Sequence, residues 1–282
     1  MEEIKEENIK EKEKKKFSFK SLLIKIVVVI TLLVLYSLYI GNMGLFVNDY
    51  GIYNEKVPES FVGVKIVQLS DIHYSSVGYK KMDSIISKIN DIKPDIVLFT
   101  GDLYDNYSIV TEDNINELKE LLSKINTNLG KYAIRGNHDY DYEYYDDIIN
   151  NSGFTLLDSN SVLLYNNSDN PIEIIGWPNY DPNYDIELSD NFKIAMIHEP
   201  DNYDNIIDKD IDLVVAGHSH GGQVRLPYIG SIFNNRGAKK YTGRYYKHNN
   251  TDFYISYGIG NSMYNFRLFN HPSINLYRLY NK

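Results

Sequence analysis

The sequence predicts an α/β fold with sheets covered on both faces, and three observations carry that expectation. From Val64 onward short apolar, β-rich segments alternate with amphipathic ones. Five of the apolar segments run directly into loops carrying Asp, Asn or His, the usual place for ligands in α/β sheets. A chain of 282 residues that is 43% hydrophobic also has the means to bury a substantial core.

The elements follow in chain order. Residues 1–21 are dominated by Glu and Lys, which cannot bury a core, so a disordered or loosely helical tail is expected. Residues 22–40 form an apolar run interrupted by Lys25 and small hydroxyl residues, close to the ~20 residues a helix needs to span a bilayer. The charged tail and polar sequence on either side leave such a helix nothing to pack against in a soluble fold. Lys12, Lys14, Lys15, Lys16 and Lys20 precede it, so the positive-inside bias keeps the N-terminus cytoplasmic and the remainder outside the cell membrane. A cleaved signal peptide competes with this reading. However, Tyr39 to Gly44 offers no small-x-small cleavage site and the run exceeds a usual signal core, which favours an uncleaved single-pass signal anchor. Residues 41–62, with Gly41, Gly44, Gly51 and Pro58, read as a linker.

Residues 63–282 read as one folded domain. Strands are expected at Val64–Leu69, Asp95–Thr100, Lys131–Ile134, Lys193–Ile197 and Ile211–Ala216, and helices at Tyr79–Ile92, Asn114–Ile125 and Asp141–Asn150. The last part, including Phe253–Tyr257 and Ile274–Leu279, reads as a second, more antiparallel sheet.

Net charge of −9 and a pI near 5.3 argue against a nucleic-acid partner, which needs an electropositive face. The absence of cysteine excludes disulfides, thiolate ligands and a cysteine nucleophile. Tyrosines are spread along the whole chain, so Tyr140 to Tyr145 gains little weight as a surface.

Five of the seven histidines fall in acidic, glycine-punctuated stretches, whereas His248 and His271 stand outside them and read as structural. Asp71-x-His73 alone is weak, because Asp and His after a strand are ordinary turn formers, and Gly101-Asp102 is weaker still. Gly136-Asn137-His138-Asp139 is stronger, since an amide oxygen, an imidazole and a carboxylate follow a residue that permits a tight backbone. Gly217-His218-Ser219-His220 is stronger again, and His198 gains its weight from this company. Imidazole and carboxylate without thiolate suit a borderline-to-hard divalent metal, with ligands enough for two ions.

In this order the motifs D-x-H, G-D-x-x-D, G-N-H-[DE], a lone His and G-H-x-H resemble the calcineurin-like metallophosphoesterases over roughly residue 62 to the C-terminus. His198-Glu199-Pro200 and His220-Gly221-Gly222-Gln223 resemble the membrane-anchored bacterial branch of that family. The resemblance implies a four-layer αββα sandwich of two mixed β-sheets. It also implies that Asp71, His73 and His220 hold one metal, Asn137, His198 and His218 the other, and that Asp102 bridges them. Mn²⁺, Fe²⁺/Fe³⁺ or Zn²⁺ are the expected ions, and two ions ~3.5–4 Å apart activate a shared water as hydroxide. His138 is then expected to be catalytic at the leaving group, with Asp105 and Asp139 orienting the histidines or simply forming turns.

The expected function is hydrolysis of a phosphate ester or pyrophosphate bond. The substrate is expected to be lipid-linked or part of the cell envelope, because a tethered domain searches the bilayer at raised effective concentration. The partners expected are that substrate and the membrane, with the chain a monomer. A catalytically inactive metal-binding scaffold is the alternative, although no ligand is missing. Tyr104, Tyr140, Trp177, Arg225, Arg236 and Arg267 are candidates to line the substrate pocket.

Overall fold

Two six-stranded mixed sheets lie face to face in the computed structural model, which describes residues 2–105, 108–181, 184–262 and 264–282. The first sheet has the spatial order β1 (Phe46–Tyr53), β14 (Ser273–Tyr280), β2 (Lys65–Leu69), β3 (Ile96–Phe99), β4 (Gly130–Ala133) and β5 (Thr155–Leu156). Only β14 and β2 run antiparallel in it. The second has the order β12 (Tyr245–His248), β13 (Thr251–Ile255), β9 (Leu213–Ala216), β8 (Phe192–Met196), β7 (Ile172–Gly176) and β6 (Asn160–Leu164), antiparallel at its edges and parallel between them. A small ribbon pairs β10 (Arg225–Leu226) with β11 (Gly230–Ser231).

The two-residue period of a strand sorts the core. Ile66, Ile96 and Leu98 face Ile174, Ile194, Met196 and Leu213 across the inter-sheet layer, while their neighbours Val67, Leu69, Val97 and Phe99 face the helices. Those helices are α2 (Tyr74–Ile92), α3 (Glu112–Ser123) and α4 (Tyr145–Asn151). Met82, Ile85, Ile86 and Ile89 form the buried stripe of α2 at the spacing a helix requires. Thr111 caps α3 by accepting a hydrogen bond from the Asn114 amide (3.2 Å). One buried polar group links the sheets: Gln68 donates to Ala216 O (2.8 Å) and accepts from Tyr277 Oη (2.7 Å) and Asn275 Nδ2 (3.0 Å).

Two mixed sheets and the helical layer agree with the expectation. The fourth layer is thin. Trp177, Tyr203 and Ile206, from the 3₁₀ segment Pro200–Asn205 and loops, cover Val214 and Phe253 on the outer face of the second sheet, with no α-helix there among the described residues. The C-terminal strands do not form a separate antiparallel sheet as the sequence led us to expect. Strand β13 lies parallel to β9 in the second sheet, and β14 inserts between β1 and β2 in the first. Strand-like patterning specifies a face to bury and leaves the partner open.

The N-terminal region needs a further correction. A single helix, α1 (Glu2–Leu35), extends through the charged tail and continues as a π-helical turn, Tyr36–Ile40. Within it Phe19–Ile40 is long and apolar enough to cross a membrane, and its side chains are almost entirely exposed. The stretch 41–62, expected as a linker, contains β1, an eight-residue strand paired along its whole length with β14. Its polar residues Asn48 and Asp49 sit on an exposed edge, which is why it lacks the apolar signature of a strand. The helix therefore passes into the body without a flexible tether. Register also fixes where it enters: Phe46 pairs with Ser273 and Asn275 with Gln68, so the helix joins the body at the end of the sheet where Leu69 leads into Asp71.

Candidate metal centre

Strands β2, β3, β4, β8 and β9 deliver their C-terminal loops to one end of the facing sheets, and those loops carry all the motifs. Two sets of ligand atoms converge there, Asp71 with His73 and His220, and Asp102 with His198 and His218, the atoms of each set lying within 4.8 Å of one another. All six residues are buried. Asn137 Oδ1 stands 3.1 Å from His198 Nε2, and Asp102 Oδ2 lies 3.3 Å from His198 Nε2 and 3.8 Å from His73 Nε2. Asp102 thus faces imidazoles from both sets. The seven residues read from the sequence as metal ligands all come together.

The backbone holds this constellation under strain. Asp71, His73, Asp102, His218 and His220 all adopt left-handed conformations, with φ between 41° and 62°. Non-glycine residues there cost roughly 1–3 kcal/mol each, a cost that persists only where the surroundings impose it and that clusters at functional sites. The glycines before Asp102 and Asn137 have a separate reason. A Cβ on Gly101 would lie 2.2 Å from the Gly136 nitrogen, and one on Gly136 would lie 2.1 Å from Asp102 Oδ1, so the two loops touch backbone to backbone.

Hydrogen bonds orient the donors. His198 Nδ1 donates to Thr100 O (2.7 Å), which leaves Nε2 to face Asp102 and Asn137. His218 Nε2 donates to Arg236 O (2.6 Å), leaving Nδ1 as its ligand atom. Asp71 accepts from the His218 amide at 3.0 Å. His73 and His220 approach through their Nε2 atoms at 3.0 Å, and His73 Nδ1 is buried without a partner.

Electrostatics support a cation here. Burial disfavours a charged His198, yet the carboxylates of Asp102 and Asp71 outweigh it and raise that imidazole to about 10. Burial, reinforced by Asp102, raises Asp71 to about 7, and burial lowers His73 to about 4. Asp102 is lowered despite its burial, first through the charge of His198. Converging lone pairs that hold a proton this firmly form a donor set suited to divalent cations, and the nitrogen and oxygen ligands fit the ions expected from the sequence.

The remaining expected residues divide. His138 is half-buried, its Nε2 at 3.8 Å from both Asp102 Oδ2 and Asp105 Oδ1, and it lines a cleft of about 1270 Å³ together with Asn137 and His218. Asp105 therefore stands beside His138 at ion-pair distance. Asp139 orients no imidazole: its carboxylate accepts from the backbone amides of Asp102 (2.7 Å), Leu103 (2.8 Å) and Gly136 (2.8 Å), clamping two ligand loops together.

Of the six pocket candidates only Arg236 lines this cleft. Trp177 packs in the outer core, and Tyr104 is buried against Tyr74 and Tyr142. Tyr140 packs at a tilt against Tyr180, itself a wall of the cleft. Arg225 lies over Tyr257, and Arg267 is fully buried, donating to Tyr257 O, Gly260 O and Asn261 Oδ1. Asn179, Tyr180, Glu199, Asn202 and Asn235 line the cleft and were not singled out as site residues by the sequence, because loop residues without a motif carry no signal of convergence.

Comparison with known proteins points to a phosphoesterase. A family model for calcineurin-like phosphoesterases matches residues 64–222. The uncharacterized metallophosphoesterase YkuE of Bacillus subtilis is 32% identical over 256 residues, covering 86% of this chain and 88% of the relative. A transmembrane protein with metallophosphoesterase domain from Danio rerio is 28% identical over 70% of this chain and 49% of its own length. The UDP-2,3-diacylglucosamine pyrophosphatase LpxG of Chlamydia muridarum is 26% identical over 61% of this chain and 69% of its own. The chain belongs to the calcineurin-like phosphoesterase family and is a phosphoester hydrolase.

Proposed function

We propose that the protein hydrolyses a lipid-linked phosphate ester or pyrophosphate at the outer face of the cell membrane. The observation that carries this reading is the register described above, which brings the apolar helix into the body at the same end of the sheet as the metal centre. A membrane-crossing helix entering there turns the site toward the lipid surface instead of away from it. The lysines that precede the helix favour a cytoplasmic N-terminus. The UDP-2,3-diacylglucosamine pyrophosphatase among the relatives adds support for an acylated substrate.

In this reading Asp71, His73 and His220 hold one divalent cation, Asn137, His198 and His218 hold a second, and Asp102 serves both. When bound, the cations supply Lewis-acid activation of water and neutralise phosphate charge. The residues of the chain do the rest. His138, beside Asp105, donates a proton from Nε2 to the departing oxygen. Arg236, at the cleft wall, pairs with a phosphate oxygen as the substrate seats. Asn179 and Asn202, tied to each other at 3.0 Å, offer neutral hydrogen bonds beside it. The protein acts as a monomer and without nucleic acid.

The test is turnover by the full chain in lipid nanodiscs, with Mn²⁺ or chelator, on bis(p-nitrophenyl) phosphate, phosphatidic acid and CDP-diacylglycerol. Metal-dependent cleavage that is lost in Asp102→Ala and falls ~10²–10⁴-fold in His138→Ala is the expected result. Metal binding without cleavage of any of the three would instead support a scaffold.

A further inference from the structure

An apolar surface and a second cavity lie beside the metal centre, and the mechanism above uses neither. Residues 226–233, Leu-Pro-Tyr-Ile-Gly-Ser-Ile-Phe, contain no charge, and they form the tip and return of the β10–β11 ribbon. Tyr228 is fully exposed, Ile229 is 72% exposed and Phe233 65%. Apolar side chains left singly at a surface are ordinary, whereas a contiguous group marks an interaction site. Tyr264 (63% exposed) and Phe269 (45%) extend the group.

Two sets of contacts connect this surface to the apolar N-terminal helix. The ribbon is bonded to the segment around Leu268, by Arg225 N to Leu268 O (3.0 Å) and Leu268 N to Gln223 O (3.0 Å). That segment in turn holds the end of the helix. Arg267 N donates to Ser37 O (3.0 Å), Asn42 Nδ2 donates to Asn265 O (3.1 Å), and the rings of Tyr36 and Phe269 lie 5.5 Å apart. The exposed ribbon is thus continuous with the end of the membrane-length segment, which commits it to the same apolar medium. Behind it lies a cavity of about 400 Å³, walled by Val224, Phe233, Tyr264 and Phe266 and floored by Ser219 and His220. Tyr264 and Ser262 also line the main cleft.

We propose that the ribbon at 226–233 is a second membrane contact, seated among the lipid headgroups beside the spanning helix, and that the cavity behind it takes an acyl chain of the lipid being hydrolysed. The acyl-chain assignment rests on the lipid-substrate reading above, while the membrane contact stands independently of it. Tyrosine and phenylalanine beside an apolar tip suit the headgroup boundary. Anchored by the helix end and by the ribbon continuous with it, the body is held with the cavity mouth at the bilayer, so a chain leaves the membrane along apolar walls while its phosphate reaches the cleft lined by His138 and Arg236.

The chain contains no cysteine, so a single introduced thiol reports one position. The full chain carrying Ile229→Cys, labelled with the fluorophore NBD, is placed in nanodiscs of phosphatidylcholine and phosphatidylglycerol with spin-labelled lipid. Asp169→Cys, in the β6–β7 loop at the opposite end of the second sheet, is the control. Blue-shifted emission quenched by spin-labelled lipid at 229 and absent at 169 is expected. Emission at 229 as water-like as at 169 overturns the proposal, as does a blue shift without lipid quenching, which would mean burial against a second copy. The double variant Tyr228→Ser, Ile229→Ser is expected to lower phosphatidic acid turnover about tenfold with bis(p-nitrophenyl) phosphate turnover unchanged. An equal fall on both esters overturns the acyl-chain assignment. If the unmodified protein cleaves neither ester, the lipid-hydrolase reading fails, and the fluorescence still decides the membrane contact.

Discussion

Replacing Gly136 by alanine tests how the two central loops are held together. The backbone at 136 is not in the left-handed region, so a methyl group there acts only through the space it occupies. That methyl would fall 2.1 Å from Asp102 Oδ1, 2.5 Å from the Asp102 nitrogen and 2.7 Å from His198 Cε1. Ordinary contact begins near 3.4 Å, so the Asp102 carboxylate must retreat by a little over an ångström. The Asp102 nitrogen cannot yield with it, because it is bonded to Asp139 at 2.7 Å. Forcing a methyl into a packed site costs ~1–3 kcal/mol, and a displacement of ~1 Å at a catalytic group costs about 10²-fold in rate. The retreat also moves Oδ2 from its 3.3 Å approach to His198, so both candidate cation sites weaken. Calorimetric titration of the full chain with Mn²⁺ should show affinity lower by ~10–100-fold. Fluorescence of Trp177, the sole tryptophan, should report an earlier unfolding midpoint. Mn²⁺ affinity within twofold of the unmodified protein, with an unmoved midpoint, would refute the claim that this close approach positions the bridging carboxylate.

Other perturbations probe different parts of the same construction. Asp139→Ala leaves three buried backbone amides without their acceptor, so the metal-stripped protein should lose ~2–4 kcal/mol in denaturant unfolding. Arg267→Met removes the donors to Tyr257 O, Gly260 O and Asn261 Oδ1 and leaves those buried acceptors unsatisfied, so it should cost ~1–3 kcal/mol by the same assay. Metal affinity should rise with pH. In the metal-free protein the Asp102 carboxylate outweighs burial and holds His198 at about 10, and burial raises Asp71 to about 7, so a cation must displace one proton above pH 7 and two below it; each unit of acidity weakens binding by up to about tenfold above pH 7 and up to about 100-fold below it. Titrations from pH 6 to 8, in buffers of different ionisation enthalpy, should show the released protons directly.

The strands leading to the site were legible because they are buried on both faces. Ile96–Phe99 and Leu213–Ala216 are unbroken apolar runs for that reason, and their loops announce themselves by Asp, His and Gly. Edge strands were not legible. Phe46–Tyr53 and Asn160–Leu164 expose much of their length; the interior strand Ile172–Gly176 was missed for a different reason, a buried Glu173 whose carboxylate is satisfied by Ser161 and Ser189. In the site, the motif residues could be read one by one, whereas the clamp made by Asp139 could not. Its partners are backbone amides, which every residue carries and no sequence distinguishes.

By itself the sequence determined the inventory of candidate ligands, the order in which strands deliver it, and an apolar segment of membrane-spanning length, because side-chain chemistry and periodicity are local properties. Tertiary structure alone decided which end of the sheet that segment joins, how β14 comes to lie between β1 and β2, and which cleft and cavity the loops enclose. Those outcomes depend on pairings between residues far apart in the chain, such as Phe46 with Ser273, where backbone hydrogen bonds choose the partner and leave no trace in residue type.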